Sequence, residues 1–177
     1  GVLVTSSSVL TYALELGSWP VDTTLEIVVN GIVSGRGGAG GNVLFGGTTE
    51  QMNGRKGGDA MIIDRTVAIT VSSAGKITGG GGGGGAGQQT GGGGGAPLGA
   101  KGQASLGPNG SDGGRLTGGA GGGIDGPSSA GAGGDVGQAG QAGRGAVGWG
   151  TGGAIGKAIH DPSGLATIIN NGQIISG

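Results

Sequence analysis

Few residues in this chain have types that could carry covalent or acid–base chemistry, and their spacing gathers none of them. His160 is the only histidine, and it stands before Asp161-Pro162, where it reads as a turn residue rather than a general base. Asp59, Asp64, Asp112, Asp125 and Asp135 are scattered, without the close alternation of an oxygen-ligand loop. Gly75-Lys76-Ile77 lacks both the upstream glycine spacing and the following Ser or Thr of a phosphate loop. Incidental GxGxxG matches in the glycine runs lack the strand–turn–helix context that gives the motif meaning. No nucleophile–base pair stands out, so neither catalysis nor a cofactor is expected. The absence of cysteine rules out a disulfide framework and a thiolate metal site.

Recognition chemistry is better represented. Aromatic and arginine anchors commonly dominate binding energy at interfaces, and the chain has only one Phe, one Tyr and two Trp. Phe45 and Trp149 both fall in irregular stretches between glycine runs. Val43, Leu44, Met52, Gln88, Gln89, Arg115, Leu116 and Arg144 lie in such stretches too. These ten residues are the candidate binding set. The alternative is that Phe45 and Trp149 plug an open end as a small core, and the two roles are compatible.

The composition constrains what can hold such residues in place. Of 177 residues 54 are glycine, far above the usual ~7%, and 49 of these lie between Gly31 and Gly156. With 33% hydrophobic residues, an ordinary oil-drop core is not expected. The net charge of −1, without a basic block or aromatic–basic interleaving, argues against nucleic acid. No apolar run approaches the ~18 residues of a membrane span, and no signal-peptide pattern is present. The chain opens at Gly1-Val2-Leu3 without Met, which fits the C-terminal piece of a longer protein.

The elements follow from two alternating sequence styles. Segments 2–16, 24–33, 61–71 and 165–175 are rich in β-branched residues and read as strands. Between them, about eight glycine runs of six to ten residues are joined by Pro, Asn-Gly and Asp-Gly turns. The longest, 79–96, has seven consecutive glycines, then Ala86-Gly87, Gln88-Gln89-Thr90, and five more glycines before Ala96. A flexible linker is one reading of such a run. Recurrence at similar length favours the other, a left-handed polyproline-II-like rod with three residues per turn and ~3.1 Å rise. Seven residues then span about 20 Å, and rods running alternately up and down form a bundle. Ordering each backbone costs ~1–2 kcal/mol, whereas each inter-rod hydrogen bond returns only ~1 kcal/mol net. The bundle therefore needs the strands as a foundation. The fold class expected is irregular/all-β: about eight short polyglycine-II helices on a small β-rich base. Gly82→Val is expected to disrupt it more than the same change at the ends of the run.

The residues that carry a family resemblance are 25–41, 75–85, 133–140, 152–158 and 170–175. Across roughly 24–177 the chain resembles the glycine-rich receptor-binding domain of the tip adhesin on long tail fibres of T-even-like bacteriophages. The resemblance implies a sandwich of polyglycine-II helices whose distal loops bind a bacterial outer-membrane protein, in a virion at the tip of a tail or tail fibre. No mounting domain of that family is recognisable in 1–23. That segment is expected to be a β-strand connection to a preceding region, joined to a tail fibre or tail-tip protein, with a homotrimer as one arrangement. If runs alternate in direction from the base, the joints 42–53, 88–90, 105–116 and 141–149 fall at the far end. The joints 97–98 and 124–129 then fall on the base side, and Arg36, Arg55 and Lys56 project into solvent. Two other classes remain open. A polyglycine-II antifreeze protein needs a flat, uniform ice face, and a structural glycine-rich protein needs longer, more regular runs.

Overall fold

Among the described residues, ten short strands form, most of them in segments rich in β-branched residues, and they pair only in parallel. The computed structural model describes residues 1–20, 22–44, 48–123, 128–145 and 149–177. The strands are β1 (Leu3–Thr5), β2 (Leu14–Glu15), β3 (Leu25–Val29), β4 (Ile32–Ser34) and β5 (Met61–Ile62). They continue as β6 (Val67–Val71), β7 (Lys76–Thr78), β8 (Ile159–His160), β9 (Ala166–Asn170) and β10 (Gln173–Ile175). They make three sheets, ordered β1-β4-β7-β10, β2-β5-β8 and β3-β6-β9. The chain visits these sheets in the same sequence three times, so β2-β3-β4, β5-β6-β7 and β8-β9-β10 are stacked coils. β1 adds one more strand beside β4.

Register aligns like with like across the coils. Ile27, Ile69 and Ile168 share one row, and Val4, Val33, Ile77 and Ile174 another. The middle coil is sealed by its neighbours, and Met61, Ile63, Val67, Ile69, Val71 and Ile77 are buried. In β6 burial alternates with period two, as a strand with one face on a core requires. A small apolar core therefore exists, confined to the coil.

The only described helix is α1 (Thr49–Met52). Most of the remaining chain leaves the coil between β4 and β5 and again between β7 and β8. Among the described residues these two excursions comprise ten extended runs. The first holds rods 1 (35–42) and 2 (53–60). The second holds rods 3 (79–87), 4 (91–96), 5 (99–104), 6 (108–114), 7 (117–123), 8 (130–135), 9 (138–144) and 10 (150–157).

Rod 3 shows how they pack. The N–H groups of Gly80 and Gly83 donate to Gly58 and Arg55 on rod 2, those of Gly81 and Gly84 to Ala96 and Gly93 on rod 4, and those of Gly82 and Gly85 to Gln138 and Gln141 on rod 9. The carbonyls of the same residues accept, pair by pair, from rods 10, 1 and 8. Donors and acceptors thus return to the same neighbour every third residue, and rod 3 bonds to six others. Rod 4 also bonds to six: rods 1, 3, 5, 6, 7 and 8. Two interior rods inside a ring of eight is a three-layer stack, with rods 2-1-5 above, 10-3-4-6 between and 9-8-7 below.

Glycine is required where the rods are surrounded. Every residue of rods 3 and 4 is buried, and a Cβ on Gly82, Gly83 or Gly84 would meet the carbonyl oxygen of Gly153, Ala39 or Gly131 respectively. On rim rods 6 and 7 one residue in three faces inward, Gly110 and Gly113 or Gly119 and Gly122, whereas on rod 1 two in three are buried. The outward N–H groups of several rim rods are caught by short side chains of the neighbouring rod. Oδ1 of Asn42, Asn53 and Asp59 accepts from the N–H of Gln103, Thr151 and Lys157 at 2.7, 2.9 and 2.7 Å. Asn109, Asp112 and Asp135 do the same for Ala104, Lys101 and Gly118 at 2.8, 2.8 and 2.9 Å.

Several sequence expectations need correction. Among the described residues there are ten runs rather than about eight. Segment 105–116 is not one joint, because 108–114 is a rod bonded to rods 4, 5 and 7. Segment 131–140 is not one run, because Gly137 has φ +78° in a turn where Gln138 N–H bonds Asp135 carbonyl. The two missed reversals cancel, which returns 141–149 to the far end. His160 lies in β8 rather than a turn, with its Nδ1 3.2 Å from the Tyr12 hydroxyl.

Candidate functional site

Because each excursion starts and ends on the coil, the joints divide into two ends. At the coil end lie the turns at 97–98, 115–116 and 136–137. Leu98 N–H bonds Gly114 carbonyl, Val136 N–H bonds Leu116 carbonyl, and the Arg115 guanidinium donates to Gly1 carbonyl. Arg115 and Leu116 therefore sit at the base, away from the other candidates. Conversely, the described part of 124–129 is at the far end, where Ser128 carbonyl accepts from the Thr90 hydroxyl at 2.9 Å. Its assignment to the base side is overturned by the same miscounted reversals.

The far end, the tip, is built from five joints. Their described residues are 43–44 and 48–52, 88–90, 105–107, 128–129, and 145 with 149. The joint 88–90 links the two interior rods and so occupies the centre, with Gln88 and Gln89 exposed. The others are tied to it or to one another through backbone contacts. A Cβ on Gly107 would run into Gln89 carbonyl, and one on Gly145 would rest 3.4 Å from Gln88 Cβ and 3.8 Å from Trp149 Cε3. Val43 pairs with Ala104 in an isolated parallel bridge, and Arg144 N–H donates to Ser129 carbonyl at 2.7 Å.

The apolar side chains here are open to solvent. Leu44, Leu106 and Trp149 are 43%, 68% and 47% exposed, so Trp149 is not sealed into a plug. Val43 and Met52 are half-buried, and Met52 carbonyl accepts from Ala86 N–H, tying α1 to the interior rod. Phe45 lies outside the described residues. The structure thus brings Val43, Leu44, Met52, Gln88, Gln89, Arg144 and Trp149 to one end and leaves Arg115 and Leu116 at the other. Leu106 was missed. Its signal was the Leu106-Gly107-Pro108 break ahead of rod 6, hidden by treating 105–116 as one loop.

Rigid backbone stems presenting exposed apolar, amide and aromatic groups suit recognition of a surface. Among the described residues no group of three His, Asp or Glu could hold a metal ion, and no helix is long and apolar enough to cross a membrane. Against known families, the model of the phage tail fibre adhesin Gp38 matches residues 1–177. The chain belongs to this adhesin family. Among solved structures, the adhesin is similar to a chain in the crystal structure of the gp37-gp38 adhesin tip complex of the bacteriophage S16 long tail fiber. The identity is 31%, with a TM-score of 0.71 over 97% of the adhesin. The adhesin spans 66% of that chain's length. No curated protein matches.

Proposed function

We propose that this adhesin acts by binding, at the tip of a phage tail fibre, and that its tip loops recognise an outer-membrane protein of the bacterial host. One observation carries the reading: Leu44, Gln88, Gln89, Leu106 and Trp149 lie exposed together at the end remote from the coil. Family membership supplies the biological setting. The threefold return of hydrogen-bond direction along rod 3 supports the finer assignment of the rods as polyglycine-II helices, which have three residues per turn.

The same polarity proposes the mount. Strands β1 and β2 join segment 1–23 to the coil, and the end opposite the tip is the natural side for a connection to the fibre. The complex named for the related structure supports a fibre partner there.

Host-cell adsorption tests the reading. Leu106→Asp combined with Trp149→Ala should weaken binding at least tenfold, in line with the loss of a hydrophobic and an aromatic anchor at ~1–2 kcal/mol or more together. Arg115→Gln, at the base, should leave binding unchanged. Exchanging loops 42–53 and 141–149 for those of another member should change which bacterial surface is bound. Unchanged adsorption by the tip double variant, or unchanged host range after exchange, would sink the assignment.

A further inference from the structure

The joint 88–90 differs from every other tip joint in that both its stems are interior rods. Beside the exposed Gln88 and Gln89, Thr90 is only 7% exposed. Its hydroxyl donates to Ser128 carbonyl at 2.9 Å. Its methyl carbon stands 3.1 Å from the position a Cβ on Gly123 would take, so it lies directly against that residue's backbone. The two stems of the loop between Gly123 and Ser128 therefore rest on a single side chain. Ser129, next in the chain, accepts from Arg144 N–H at 2.7 Å, which passes the constraint to the joint that ends at Trp149.

We infer that Thr90 is a positioning residue for recognition: it fixes the stem residues Gly123 and Ser128 and, through Ser129, the backbone of Arg144 on the stem that leads to Trp149. The hydroxyl carries the larger part of the task. The hydroxyl sets where Ser128 sits, and the methyl fills the space under Gly123. A residue buried beneath the binding surface thereby holds the stems of joints it does not belong to. Holding groups close to a productive geometry depends on such supporting contacts. The inference rests on the reading of the tip as the receptor-binding end.

Thr90→Val is nearly isosteric and removes only the hydrogen bond, whereas Thr90→Ser keeps the hydroxyl and loses the methyl. Measured on host cells with the whole chain, Thr90→Val should bind three- to tenfold more weakly, the range of one lost hydrogen bond. Thr90→Ser should stay within about twofold of wild type, and thermal midpoints of the two variants should agree within a few degrees. Wild-type binding by Thr90→Val would overturn the inference. So would equal loss in both variants in step with their thermal midpoints, since that is a purely structural role. Trp149→Ala separates the two levels. If it binds normally, the tip reading has failed; if it binds weakly while Thr90→Val binds normally, only the positioning role has failed.

Discussion

A methyl group is the unit that decides where this chain tolerates sequence. At Gly83 an added Cβ falls on the carbonyl oxygen of Ala39, a backbone atom held by its own hydrogen bond to Arg55 N–H. No side chain can swing aside, so two rods must separate and break the bonds between them. At Gly114 the nearest atoms to a Cβ are Thr117 O and Oγ1 at 3.3 Å, a contact that a shift of a few tenths of an ångström relieves at the exposed end of rod 6. Gly83→Ala is therefore expected to destabilise by about 3 kcal/mol or more, the upper range of overpacking, or to abolish folding. Gly114→Ala should stay within about 0.5 kcal/mol. Paired thermal melts read the contrast, and equal midpoints would show that the rods are not rigidly packed. The expected difference between the middle and the ends of run 79–87 does not follow from the packing. Gly79 is blocked by Gly156 carbonyl just as Gly82 is by Gly153. The distinction that matters is interior against rim, and a run of glycines does not announce which of its neighbours surround it.

Among the elements, the strands depend on the turns that launch them. Asp161 follows β8 and accepts from Leu165 N–H through Oδ1 and from Ala166 N–H through Oδ2, both at 2.9 Å. These backbone donors, Ala166 first, hold its carboxyl below the ordinary aspartate value. A depressed carboxyl contributes stability that is fully present above its unfolded-state value and lost as pH falls through the folded one. Acid titration of the wild type should thus show part of its destabilisation below about pH 4, and Asp161→Ala should lack that part while being less stable at neutral pH. Parallel acid-unfolding curves for the two proteins would contradict the role. The third coil was readable in outline because Leu165 to Ile175 is so rich in β-branched residues, yet β8 was not, since two residues next to a turn carry no period. Rod count failed for a related reason. Segment 108–114 has only three glycines, at the inward positions 110 and 113 and at 114, and its polar remainder looks like loop. One inward residue in three suffices on a rim rod such as this one, so composition under-reports rim rods.

At the scale of the molecule, the bundle is two insertions in a stack of parallel coils, and each contains an even number of rods. That parity delivers the chain back to the coil each time and fixes all the tip joints at one end. It also explains how a chain with so small an apolar core stays ordered. The coil supplies the buried side chains, while the interior rods are saturated by backbone bonds on all sides. Amide exchange should report this architecture directly. All nine N–H groups of 79–87 donate within the protein, as do all six of 91–96. On rim rod 1, Gly37, Gly38, Gly40 and Gly41 donate, while among the described residues no backbone acceptor takes the N–H of Arg36 or Ala39, whose carbonyls accept from Gly58 and Arg55. Exchange should therefore be slow throughout the two glycine-richest segments, which composition alone would mark as the most mobile. Along 36–41 it should show fast positions at 36 and 39 between pairs of slow ones. A flexible linker would exchange fast throughout 79–96, and an aperiodic packed coil would show no interval of three. Either outcome would remove the rod lattice, and with it the reason the tip loops are held apart at one end.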